Sequence, residues 1–194
     1  MTKKYSLTTN TTCIGETVLY QIKCEYTFGA VLKGELGGWI EKEGNLSQEG
    51  NAWVSGDASV YGNAWVSGDA SVYGNAWISG DARVYGDASV YGNAWISGNA
   101  SVYGNARVSG DAWISGNASV SGNARVSGDA WVYGNASVSG DAWVYGNASV
   151  SGNARVSGDA SVCCRHVFTT TKAVEMFVKY DKAIHELMEK MQYE

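Results

Sequence analysis

The sequence predicts an all-β fold: a single three-sided parallel β-helix with 18 residues per coil, a small N-terminal β cap and a C-terminal α-helix. Three observations predict it. From Asn51 onward the hexad [Asn/Asp]-Ala-x-[Val/Ile]-[Ser/Tyr]-Gly recurs nineteen times with no inserted residue, the last copy ending in Cys163-Cys164. Each hexad holds an apolar-x-apolar triplet such as Ala76-Trp77-Ile78, the period of a short strand and not of a helix. Each then reaches a Gly followed by Asn or Asp, the residues that accept corner backbone. Gly occurs 25 times and Pro never, so the chain turns on glycine.

Three strands and three corners close a triangle, which stacks hexads 18 residues apart as parallel strands about 4.8 Å apart. Val or Ile fills the interior, and Ala takes the tighter inward place beside each corner. The array makes a rod of roughly 30 Å. Residues 51–62 repeat as 63–74 and residues 117–130 as 147–160, so the array has grown by duplication.

The chain divides into a leader and β cap over 1–44, the repeat array over 45–164, and a capping or oligomerisation helix over 165–194. Solenoid ends expose backbone edges and core, and both flanks suit a cap. Val18, Tyr20, Ile22, Cys24, Tyr26 and Phe28 alternate onto one face of an expected strand. At the other end the Thr169–Thr171 run caps an expected helix over 172–191. Its apolar face is Val174, Phe177, Val178, Ile184, Leu187, Met188 and Met191. That face has two candidate partners, the last coil or helices of other subunits, and the 177–184–191 heptad spacing keeps the second open.

The motif, a small residue two before an aliphatic one as in Ala52-x-Val54 and Ala112-x-Ile114, resembles the hexapeptide-repeat family of left-handed parallel β-helices. The left hand is implied by that resemblance alone, because general chain rules favour right-handed crossovers. Thr17–Ile22, Phe28-Gly29, Lys33–Glu41 and Asn45–Gly50 are similar to the leader of prophage-encoded YdcK-like repeat proteins. Many of that group carry an acyltransferase-like label inherited from the fold, and a fold does not establish a function.

Composition narrows the functional classes. The chain carries a net charge of −5. Residues 51–162 hold eight Asp and four Arg with no Lys or Glu, so no cluster of cations offers itself to nucleic acid phosphates. Met1 to Tyr20 lacks the apolar run of a signal peptide and no stretch is long enough for a membrane span, so the expected location is the cytoplasm of a bacterial host. Cys13, Cys24, Cys163 and Cys164 have no metal-ligand spacing and read as reduced thiols. A three-His zinc site fails by count, since the chain has two His. Ice binding needs rows of Thr, and none lies between Thr27 and Thr169. Calcium-binding toxin helices use a nine-residue repeat. No cofactor and no metal is expected.

The acyltransferases of this fold take acyl groups from coenzyme A at a subunit interface, usually with a His base and a protruding loop. The array has neither. His185 reads as a solvated helix residue among Lys182, Glu186 and Glu189. His166 follows Cys163-Cys164-Arg165, but alternate strand residues point to opposite faces and no orienting acid is near.

Counting in steps of 18 sorts the outward x positions onto three sides. The first carries Ser59, Trp77, Trp95, Trp113, Trp131 and Ser149; the second Trp53, Ser71, Ser89, Arg107, Arg125, Trp143 and Ser161; the third Trp65, Arg83, Ser101, Ser119, Ser137 and Arg155. Trp77, Trp95, Trp113 and Trp131 form an expected ladder and are the candidate binding residues. Stacked rings stabilise one another by roughly 0.5–1 kcal/mol per pair, so a purely structural ladder competes with an interface. An exposed strip of a few hundred Å² matches the largest patch on typical monomers. Its occupants are a second copy of the chain, a trimer being favoured by the resemblance, a host protein, or a small planar or sugar ligand. Shorter Tyr73–Tyr91 and Tyr85–Tyr103 ladders flank the other sides. Corner pairs such as Asp69 with Asp87, Asp111 with Asp129 and Asp141 with Asp159 read as solvated turn residues interchangeable with Asn.

The expected function is that of a non-enzymatic phage or prophage accessory protein, a rigid self-associating scaffold or binding protein that interferes with a host component. The alternative is an acyltransferase-like enzyme with an acyl-coenzyme A donor.

Overall fold

The computed structural model describes residues 3–164 and 166–191, with side chains through residue 183. Each hexad contributes a two-residue strand built from its x and aliphatic positions, from Trp53–Val54 to Ser161–Val162. Strands 18 residues apart pair in parallel and in register, as Ile96 does with Ile114 and Val102 with Val120. They gather into three sheets of ten, seven and six strands. The Ala and Val or Ile of each hexad, from Ala52 to Val156, are buried at 0–1% exposure and form one continuous core. This core lies along the axis because the x residues between them point away from it.

The corners follow from the glycines. Every hexad Gly from Gly56 to Gly158 has φ between 61° and 74°, and Cys164 adopts the same left-handed backbone (φ 69°) in the Gly place of the last copy. Corner amides run in columns: Asn99, Asn117, Asn135 and Asn153 hydrogen-bond coil to coil at 3.0–3.3 Å. Asp69, Asp111 and Asp141 accept from Asn51, Asn93 and Asn123 of the coil below. Asn is thus more than a solvated stand-in for Asp, since only its amide donates to the next coil.

The N-terminal cap is a hairpin of β1 (Tyr5–Ile14) and β2 (Thr17–Cys24), followed by β3 (Leu36–Ile40). β2 pairs antiparallel with β1 and β3, and β3 pairs parallel with Ser59–Val60, so the cap extends the first sheet. The single-face alternation expected over residues 18–28 does not hold. Leu19, Ile22 and Cys24 are buried while Val18 is 41% exposed. The ladders on both sides of β2 are irregular where the buried side changes: β1 carries two extra residues between Leu7 and Thr11, and β3 one extra opposite Gln21–Lys23.

The expected boundary at residue 45 falls inside the first coil. Trp39 pairs with Ser59 and Leu46 with Val66, a step of 20, whereas Val54 pairs with Val72 at the regular 18. The two extra residues lie between Leu46 and Val54 and open a wider corner, which the Lys4 side chain fills. Its Nζ donates to the carbonyls of Ala52 (3.0 Å), Gly50 (3.3 Å) and Glu49 (3.4 Å) and sits 5.1 Å from the Phe28 ring centre. The Tyr5 hydroxyl lies 2.8 Å from the Leu46 carbonyl oxygen and 2.9 Å from that of Glu43. Trp53, outward on the second side, is buried under this cap, with Phe28 (5.6 Å) and Tyr5 (6.5 Å) edge-on to its ring.

Burial lowers the Lys4 pKa from 10.5 to about 8, against the smaller opposing pull of Asp69. Between those values the unfolded chain holds a proton that the folded chain has released, so stability rises with pH through that window. The advantage of wild type over Lys4→Met in urea unfolding is therefore expected to grow from pH 8 to pH 10.5. A constant difference across this range would show that Lys4 does not titrate in the corner.

At the other end α1 (Thr171–Met191) begins where Thr170 Oγ1 accepts from the Ala173 amide at 3.3 Å. Val174 is buried, and Phe177 stands edge-on to Phe168 at 5.2 Å. Phe177 and Val178 also pack on the core, so the first half of the helix covers the last coil. Ile184, His185, Leu187, Met188 and Met191 lie outside the described side chains. Among the described residues no helix is long and apolar enough to cross a membrane.

Candidate functional site: the tryptophan face

The ten-stranded first sheet positions the candidate residues. Trp77, Trp95, Trp113 and Trp131 occupy consecutive x positions, paired in register. Strand spacing brings the rings within contact, and they form the predicted ladder with centroids 5.2, 5.1 and 5.3 Å apart. The ladder is not uniform. Trp95 and Trp113 stack at 9°, whereas Trp77 and Trp131 are tilted by 59° from their neighbours. Trp95 and Trp113 keep 37% exposure and Trp131 50%, so stacking covers ring faces and leaves edges open. Behind them, on the inner side of the same strands, stand Ile78, Ile96 and Ile114, all buried.

The tilt of Trp131 opens a cleft of about 280 Å³ lined by Trp113, Ser115, Trp131 and Tyr133. Hydrogen bonds from Ser151 and Ser149 hold the Tyr133 hydroxyl below its ordinary pKa. Tyr133 interrupts a column that reads Ser79, Ser97, Ser115, and the same count of 18 would have singled it out. At the other end Trp39, Ser59, Trp77 and the hairpin tip Thr12–Gly15 line a larger cleft of about 470 Å³. Trp39 escapes the count because its step to Ser59 is 20. The hairpin tip reaches this face through the strand pairing of β2 with β3, which no local pattern announces.

The first side is also the one whose outward array positions carry no charge, since Arg107 and Arg125 lie on the second side and Arg83 and Arg155 on the third. The tyrosine ladders form as expected, Tyr73 on Tyr91 at 4.9 Å and Tyr85 on Tyr103 at 5.0 Å, both within 3° of parallel.

His166 is exposed and lies 4.9 Å from the Phe177 ring at the C-terminal end. The Cys163 and Cys164 sulfurs are 2.8 Å apart, and the neighbouring thiol raises the Cys164 pKa. Among the described residues no three His, Cys, Asp or Glu are grouped to hold a metal.

The YdcK Beta solenoid repeat family model matches residues 76–92, 82–98, 100–116, 118–134, 130–146 and 148–163. No curated protein matches the chain in sequence. The matched windows cover the coils that carry the tryptophan ladder, and over residues 76–163 the repeat array matches the YdcK β-solenoid repeat family.

Proposed function

We propose that the protein is a non-enzymatic rod that associates with copies of itself through the tryptophan face and serves as a scaffold or binding protein. One observation carries this reading: four in-register tryptophans, three of them exposed and Trp77 half-buried, stand on the side whose outward array positions are uncharged. Packing one side around a symmetry axis brings the residues nearest the axis against their own copies, so like charges there repel. The arginine-bearing sides are penalised by that rule, and the first side is not. The apolar strip of roughly a few hundred Å² is as large as the largest patch that typical monomers leave in water, a size that is often functional, and self-association buries it.

A trimer is the favoured assembly, following the habit of the hexapeptide-repeat helices that the array resembles. A phage or prophage accessory role that interferes with a host component belongs to the same proposal and rests on the resemblance of the leader. Cytoplasmic action is part of it.

Light-scattering mass in solution tests the interface. Wild type is expected to form a trimer and the Trp95→Ser/Trp113→Ser variant a monomer of native circular dichroism. A monomeric wild type, or an oligomer indifferent to both substitutions, would overturn the proposal. The competing acyltransferase reading is tested by calorimetry with acetyl coenzyme A, for which no binding heat is expected. Micromolar binding would replace the scaffold reading with the enzymatic one.

A further inference from the structure

On the second side of the rod Arg107 and Arg125 stand in register on neighbouring strands, both exposed. Like charges directly opposite on adjacent strands destabilise a sheet. No carboxylate offsets them: among the described residues the ion pair within 4.0 Å is Lys3 with Glu43. Asp111 and Asp129, the nearest acids along the chain, stand at the next corner, and Asp111 is engaged by the Asn93 amide at 2.8 Å. Two guanidiniums therefore share one strip of surface with their donors free.

The corner column beside them changes at the same two coils. Tyr73 and Tyr91 stack, Ser109 and Ser127 follow in the equivalent places, and Tyr145 comes next. Loss of two rings leaves a notch of about 190 Å³ whose lining includes Tyr91, Arg107, Ser109, Arg125, Ser127 and Trp143. Trp143 closes one end, its indole Nε1 donating to Ser127 Oγ at 3.1 Å, and Tyr91 closes the other. The notch thus joins two cations, two hydroxyls and two aromatic rings.

We propose that this notch binds a small oxyanion carried on one sugar ring, a sugar carboxylate or a sugar phosphate. Guanidinium forks match the oxygens of either anion and gain more from them than from a neutral acceptor. An anion between the arginines also removes their mutual repulsion. Serine hydroxyls suit ring hydroxyls, and the aromatic ends suit the apolar face of a pyranose. The volume lies below the range of roughly 300–1,000 Å³ typical of drug-sized ligands, which limits the occupant to about one ring. The site is on a different side from the tryptophan ladder and stands independently of it.

Calorimetric titration of the full chain with glucuronate, glucose 6-phosphate, glucose and inorganic phosphate tests the assignment and tells the two anion sources apart. At least one sugar anion is expected to bind with a Kd of about 1 mM or tighter. Glucose is expected to give no heat, and inorganic phosphate to bind at least about tenfold more weakly than the sugar anion. Arg107→Gln/Arg125→Gln is expected to weaken binding by at least about tenfold, the factor that loss of a single charge-assisted bond is worth. Arg83→Gln on the third side is expected to leave it unchanged. Because both arginines are exposed and repel each other, the double variant is expected to melt no lower than wild type. Silence of both sugar anions, equal binding of glucose or of inorganic phosphate, or an unaffected double variant would each overturn the proposal.

Discussion

Gly110→Ala is expected to destabilise the rod by about 3 kcal/mol, the sum of a left-handed backbone penalty and a steric one. Gly110 has φ 72°, and a Cβ there would lie 2.8 Å from the Gly128 amide nitrogen and 3.0 Å from its carbonyl oxygen. Both atoms belong to the coil above, held at strand spacing by the ladder, so neither has room to retreat. Gly158→Ala is the control. Its φ is 64°, yet an added Cβ meets nothing within 4 Å. It carries the backbone penalty alone, about 1–2 kcal/mol. Guanidinium unfolding followed by far-UV circular dichroism should rank the variants wild type, Gly158→Ala, Gly110→Ala. Equal effects would mean that the glycines serve the turn and not the stacking.

Asn45→Ala is expected to cost about 3 kcal/mol, because one buried side chain there serves three backbone groups. In the regular array the carbonyls of a coil's Gly and Ala accept from backbone amides of the coil below, as Gly80 does from Asn63 and Ala82 from Trp65. Below Gly62 and Ala64 the chain forms a short 3-10 turn, Glu43–Asn45, in place of a strand. The Asn45 amide supplies the missing donors, reaching Gly62 O at 3.1 Å and Ala64 O at 2.9 Å, while its carbonyl accepts from the Lys42 amide at 2.9 Å. Asn45→Asp keeps the acceptor, loses both donors and buries a charge, so it should be at least as damaging. In a solenoid each coil touches only its neighbours. Faster hydrogen exchange is therefore expected in the first two coils, around Ser59 to Val66, with the coils beyond Arg125 unchanged. Uniform acceleration along the rod would argue for global unfolding instead of a frayed end.

The array was legible in the sequence because a six-residue repeat carries its own register. Ala, x and Val or Ile decide inward and outward, Gly with Asn or Asp decides the corner, and 18 residues return the chain to the same side. That arithmetic placed Trp77, Trp95, Trp113 and Trp131 on one face before any coordinate. It could not foresee the 9° and 59° ring angles, since rotamers depend on what stands beside each ring. The cleft at Tyr133 follows from those angles.

The ends were less legible. The hairpin strands carry irregular register, and Leu19 is buried and Val18 exposed against the alternation. The 20-residue first coil hid Trp39 from a count of 18. No repeat or period marks Lys4, Tyr5 and Asn45, yet each closes a gap in the first coil's hydrogen bonds.

By itself, then, the sequence determined the parallel solenoid, the 18-residue step that sorts its strands into three sheets, and the uncharged tryptophan column, because each rests on local periodicity that every coil repeats. Only the tertiary structure decided how the rod is started, where the ladder opens, and that Arg107, Arg125, Ser109, Ser127 and Trp143 meet in one notch. Those features depend on contacts between coils and between cap and coil, where ring orientation and unsatisfied backbone groups act across distances that a repeat pattern does not encode.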